Sequence, residues 1–152
     1  MDKLKKVVSL PFDKKRLYIE VFVLLAWARI LKALPFGRVA PSLGEKSVET
    51  SETIATSPSL ISDISKAIAL ISRYTFWESA CLVQAIAAMK MLERRKIEST
   101  LYLGTARDKE GKMIAHAWLR SGPFYVTGSS VMHNFTVVSV FGKFIDRGEG
   151  RH

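Results

Sequence analysis

At Ile97 the chain changes its hydrophobic period, and that change constrains the fold more than any single residue does. Before it, apolar side chains recur every three to four residues; after it they alternate with polar ones. Helices followed by short alternating strands define an α+β arrangement, in which the helices cover an antiparallel sheet. The expectation is therefore N-terminal helices followed by an antiparallel β-meander.

The first helix is expected from about Asp13 to Leu34. Tyr18, Val21, Phe22, Leu25, Trp27 and Ala28 give it a broad apolar face, and Pro35 and Gly37 end it. Residues 38–56 are rich in Ser, Thr, Gly and Glu and show no period, so they read as a linker. This divides the chain into a helical region and linker, 1–56, and a core, 57–152. Ser57 and Pro58 are an N-cap and a first-turn proline, opening a helix to about Tyr74 with Ile61, Ile64, Ile68 and Ile71 on one stripe. Thr75 and Glu78 have capping-box spacing before a third helix that runs to about Lys96, although that helix can equally start at Ser79. Strands are expected at Thr100–Arg107, Met113–Arg120, Phe124–Thr127 and Phe135–Phe141. Turns fall at Asp108–Gly111 and at Ser121-Gly122, and the tail from Asp146 is polar.

The 152 residues carry 23 Lys and Arg against 14 Asp and Glu, a net charge of +9. The cations are spread over both halves rather than gathered into an arm or stripe, which argues against a nucleic-acid binder. A basic surface, or a preference for acidic peptides or anionic lipid, remains open. The run Val21–Ala28 is too short to span a bilayer, which takes about 20 apolar residues. Ala26-Trp27-Ala28 has the form of a signal-peptidase site, but Arg29 and a continuing helical pattern follow it, so a buried or interface helix is expected. The single cysteine excludes an internal disulfide and a cysteine-rich zinc site within the chain, and it fits a reducing cytoplasm. No cofactor is implied.

That cysteine, Cys81, is the first candidate for chemistry. It lies near the start of the third helix and shares a face with Ala85, Ala88 and Leu92. It is either a small buried hydrophobe or a nucleophile whose thiolate is favoured by a helix N-terminus. His116 is the second candidate. Alternation puts Ile114, His116 and Trp118 on one face of a strand, with Ala115, Ala117 and Leu119 on the other. A lone strand histidine is commonly structural, but a helix-start cysteine followed by a strand histidine is the pair a thiol nucleophile needs. The imidazole takes the thiol proton and later returns it to the leaving amine. The Cys81 backbone N–H is a candidate oxyanion donor; Trp77 and Gln84 are side-chain candidates.

The stretch from Cys81-Leu-Val through Thr100-Leu-Tyr-Leu-Gly to Ala115-His-Ala-Trp-Leu resembles the transglutaminase-like leader peptidases of lasso-peptide biosynthesis, over about residues 77–128. The short chain with helices in front resembles the stand-alone peptidase of split systems. The resemblance implies a transglutaminase/papain-like core with Cys81 as nucleophile and His116 as base. It implies removal of a leader from a ribosomally made precursor peptide, before a separate cyclase closes the macrolactam. It also implies a separate leader-binding protein as partner, with the macrolactam cyclase as a further candidate partner. Transglutaminase-like acyl transfer, or a noncatalytic module that binds a peptide or membrane surface, are the other readings.

The family's third residue is an Asp about a dozen residues after the His, and here that position falls on Thr127-Gly128. With a Ser121-Gly122 loop, counting back along the hairpin sets Thr127 opposite His116. A Thr127 hydroxyl or a backbone carbonyl can orient the ring there. A three-residue turn would bring Gly128 to that place instead; Asn134 and Asp146 are further candidates.

Overall fold

The computed structural model describes residues 12–51, 58–73 and 81–145. Four helices and five strands are found among them: α1 (Phe12–Ala33), α2 (Phe36–Leu43), β1 (Glu45–Lys46), α3 (Pro58–Ser72), α4 (Cys81–Arg94), β2 (Ser99–Arg107), β3 (Met113–Ser121), β4 (Phe124–Thr127) and β5 (Thr136–Lys143). A 3₁₀ turn, Ser129–Asn134, joins β4 to β5. The expected mixed α+β class is the one observed. The proposed caps at Ser57, Thr75, Glu78 and Ser79, and the tail from Asp146, lie outside the described residues.

Helix α4 is the element the others pack around. Its alanines, Ala85, Ala87 and Ala88, let neighbours approach closely, and Val83, Ile86, Met89, Met91 and Leu92 fill the space between. It touches α1 and α3 on one side and β2, β3 and β4 on the other. Helix α1 buries Val21, Leu24, Leu25 and Ala28, the i, i+3, i+4, i+7 stripe of one helix face. Each fully buried leucine of this kind contributes about 1.5–3 kcal/mol. Phe22, expected on the apolar face, is instead 42% exposed, while Trp27 is half-buried. Arg95 Nη2 and Arg94 Nη1 donate to Glu20 at 2.6 and 2.8 Å, clamping α1 to the C-terminal end of α4. Of the stripe expected on α3, Ile61, Ile64 and Ile68 are buried together with Ala67, and Ile71 is half-buried against the same cluster.

The sheet order is β1-β5-β2-β3-β4, with every pairing antiparallel. This corrects the expected meander. Strands β2, β3 and β4 follow one another, but β5 returns beside β2, which gives the 4-1-2-3 order of a Greek key. Local alternation sets where strands lie and leaves open which edge the last one joins.

The described part of the expected linker, residues 38–51, also differs from that expectation. Val39 and Leu43, four apart, anchor α2 in the core, and Pro41 lies inside the helix. Two anchors and a proline leave too short a pattern to show a period. After Gly44, β1 pairs with β5, and a Cβ at Gly44 (φ +125°) would sit 2.4 Å from the Gly142 oxygen, so only glycine fits there. Thr50 N donates to Thr100 Oγ1 at 2.8 Å, fixing the described end of the segment to the sheet.

The two faces of the sheet are covered differently. Leu101, Ala117, Leu119, Val126 and Phe141 join the helical residues in one buried cluster. Tyr102, Trp118 and Arg120, alternating with them, are buried on the opposite face. His116 lies on that second face.

Candidate active site

Strand β3 positions His116 by its register. Gly104 on β2 is directly opposite it, and Val137 on β5 is opposite Gly104. The imidazole stacks on Trp118, with ring centroids 5.8 Å apart, and on Phe135 at 5.1 Å. Trp118 stacks in turn on Tyr102 at 5.7 Å. A side chain at position 104 would close this space, since its Cβ would fall 2.8 Å from Trp118 Cη2 and 3.0 Å from Phe135 Cβ.

One hydrogen bond fixes the neutral ring's tautomer. His116 Nε2 lies 2.7 Å from the Gly128 carbonyl oxygen. A carbonyl only accepts, so Nε2 carries the proton and the neutral ring keeps its lone pair on Nδ1. Gly128 has φ +73°, and an added Cβ would come within 2.4 Å of the Ala117 oxygen. Glycine is thus required to bring this carbonyl against β3.

Thr127 is not the residue opposite His116. Ser121 belongs to β3 and pairs with Phe124, so the loop is Gly122-Pro123, with Gly122 at φ 56°. This is the positive-then-negative φ order of a II′ hairpin turn. A register shift between Leu119 and Arg120 then pairs Thr127 with Leu119. The loop starts one residue later than expected, and the bulge adds another offset. Thr127 Oγ1 is buried and has no hydrogen-bond partner among the described residues. Thr127→Val is therefore expected to leave activity within about twofold of wild type and to raise stability by roughly 1 kcal/mol, because a buried, unsatisfied hydroxyl is removed. Thermal melts and steady-state rates check both parts. Asn134 is exposed at the end of the 3₁₀ turn, and Asp146 lies outside the described residues.

Cys81 is the first described residue of α4. It is half-buried and packs on the helical cluster, with Ala85, Ala88 and Leu92 buried below it. The helix touches β3 directly. Cys81 thus lies with the helix layer and His116 on the other face of β3. Among the described residues no hydrogen bond joins the thiol to the ring. Gln84 is half-buried one turn further along α4, while Trp77 is outside the described residues.

A polar network that the sequence did not reveal lies on the imidazole face. Arg120 is 4% exposed. Its guanidinium donates to Tyr102 Oη at 2.9 Å, to the carbonyls of Thr50 at 2.9 Å, Ser51 at 3.1 Å and Gly122 at 2.7 Å, and to Thr100 Oγ1 at 3.4 Å. Tyr102 Oη donates to Glu49 Oε1. Burial and then the Glu49 hydrogen bond push the Tyr102 phenol up to about 12, against the opposing pull of Arg120. Among the described residues no group of three His, Cys, Asp or Glu is placed to hold a metal ion, and no helix is long and apolar enough to cross a membrane.

The family model of the transglutaminase-like superfamily matches residues 21–140. The match takes in most of α1, most of the sheet, Cys81 and His116, and the chain belongs to the transglutaminase-like superfamily. No curated protein and no solved structure matches it.

Proposed function

We propose that the protein is a cysteine peptidase that removes the leader from a ribosomally made lasso-peptide precursor. The observation that carries this reading is the His116 Nε2–Gly128 bond in a transglutaminase-like chain. It presents Nδ1 as the basic atom on the strand that α4 packs against. In the reaction, Nδ1 takes the Cys81 proton and the thiolate sulfur attacks the scissile carbonyl carbon. The tetrahedral intermediate collapses as the C–N bond breaks, and the imidazolium gives its proton to the leaving amine. Water, deprotonated by the same nitrogen, then hydrolyses the thioester and frees Cys81. Thiol and imidazole must come into contact for the first step, although Cys81 lies with the helix layer and His116 on the other face of β3.

The resemblance supports the substrate class: a precursor delivered by a separate leader-binding protein, with the macrolactam closed by a separate cyclase. A cytoplasmic enzyme working without a cofactor fits the same reading. Transglutaminase-like exchange differs only in the acceptor of the second step. Incubating a lasso precursor with the protein and its leader-binding partner, followed by mass spectrometry, separates the two. Hydrolysis yields a leader ending in a free carboxylate and a core peptide with a free amine. A leader bearing a new amide supports acyl transfer, and an untouched precursor rejects both.

A further inference from the structure

The imidazole of a cysteine–histidine site has to hold one tautomer and one plane, a task that a carboxylate performs where one is present. Here the ring's described hydrogen bond goes to a neutral carbonyl, which fixes Nε2–H but leaves the ring free to tilt about that contact. Two aromatic rings limit the tilt. Trp118 and Phe135 both stack on the imidazole, at 5.8 and 5.1 Å, with interplanar angles of 27° and 30°. Trp118 is buried and backed by Tyr102, so it is a fixed wall. Phe135 comes from the far end of the β4–β5 crossover, where its N–H donates to the Met132 carbonyl at 3.1 Å. Gly104 leaves the floor open so that the rings can meet.

We propose that Phe135 is a positioning residue, which together with Trp118 clamps the His116 ring in the plane that keeps Nε2–H on the Gly128 carbonyl and Nδ1 free as the base. The Greek-key crossover thereby contributes both holding groups, Gly128 at its start and Phe135 at its end. Offset aromatic contacts of this kind are worth about 0.5–1.5 kcal/mol each beyond the area they bury, enough to bias a ring between two orientations. The titratable side chains of the network on this face, Tyr102, Arg120 and Glu49, hydrogen-bond among themselves rather than to the imidazole. The proposal rests on His116 being the base, but its test does not depend on cleavage.

The test is the nitrogen spectrum of the imidazole in ¹⁵N-labelled protein at a pH where the ring is neutral, with His116 assigned by its loss in His116→Gln. The wild type should show a dominant Nε2–H tautomer with a separate, unprotonated Nδ1. In Phe135→Leu the two nitrogen signals should move toward each other as the tautomers mix, and turnover should fall roughly 10-fold or more with KM little changed. Phe135→Tyr, which keeps the ring, should restore both. Phe135→Met keeps the volume without the ring and serves if the leucine variant does not fold. A folded Leu or Met variant with wild-type His116 signals overturns the clamp, whatever its activity. Retained cleavage by a Cys81 variant would instead overturn the peptidase reading and leave the clamp standing.

Discussion

Replacing Cys81 by alanine is expected to reduce precursor cleavage by about 10³-fold or more while the protein stays folded. The size follows from the chemistry: without the sulfur no acyl-enzyme forms, and the residual rate is what binding and oxyanion stabilisation give alone. The fold should tolerate the change. Cys81 is only half-buried, at the described start of α4, and alanine is the best helix former. The melting temperature is the control, with a shift corresponding to less than about 1 kcal/mol. If Cys81 served only as packing, the result would reverse, with a measurable stability loss and cleavage intact. His116→Gln should lower the rate by a comparable factor, since glutamine presents no basic nitrogen to take the thiol proton.

The second large effect concerns stability. Arg120→Met is expected to cost about 3 kcal/mol and to lower the melting temperature by on the order of 10 °C. Methionine fills much of the arginine's volume, but it takes donors away from the carbonyls of Thr50, Ser51 and Gly122 and from Tyr102 Oη. The loss of the Arg120 donor at the buried Thr50 and Tyr102 accounts for most of the cost. The Thr50 N–H, held by Thr100 Oγ1, should exchange with solvent faster in the variant, because the segment loses its second anchor. The same network sets an alkaline limit. The folded Tyr102 phenol is raised to about 12 from its ordinary 10.0, so its contribution is complete below pH 10 and is lost as pH climbs toward 12. A stability profile that stayed flat across that range would remove Tyr102 from the network.

How much of this was legible in the sequence depended on the range of the signal. The α3 stripe, the bounds of β4 and the Asp108–Gly111 turn rest on contacts within a few residues, and each is observed where expected. The edge chosen by β5 is set by the whole sheet, and no local pattern carries it. Arg120 looks like an ordinary exposed strand cation until the Thr50–Ser51 backbone is laid over it. The His116–Thr127 register failed on two single-residue details, the start of the loop and the bulge after Leu119, since each one-residue change alters which side chains meet. The acceptor found for the imidazole is a backbone carbonyl and has no residue-type signature. Its one trace in the sequence is Gly128, a glycine directly after a strand, where positive φ brings the chain against β3.

The central claim is that Cys81 is acylated by the precursor and that His116 drives the step. Intact-mass and peptide mass spectrometry of the enzyme, acid-quenched during turnover with a lasso precursor and its leader-binding partner, tests it most directly. A leader-sized adduct is expected on the peptide containing Cys81. The adduct should be released by hydroxylamine as a thioester would be, and it should be absent from Cys81→Ala and sharply reduced in His116→Gln. Cleaved precursor with no adduct in any quench, together with full cleavage by Cys81→Ala, would contradict it.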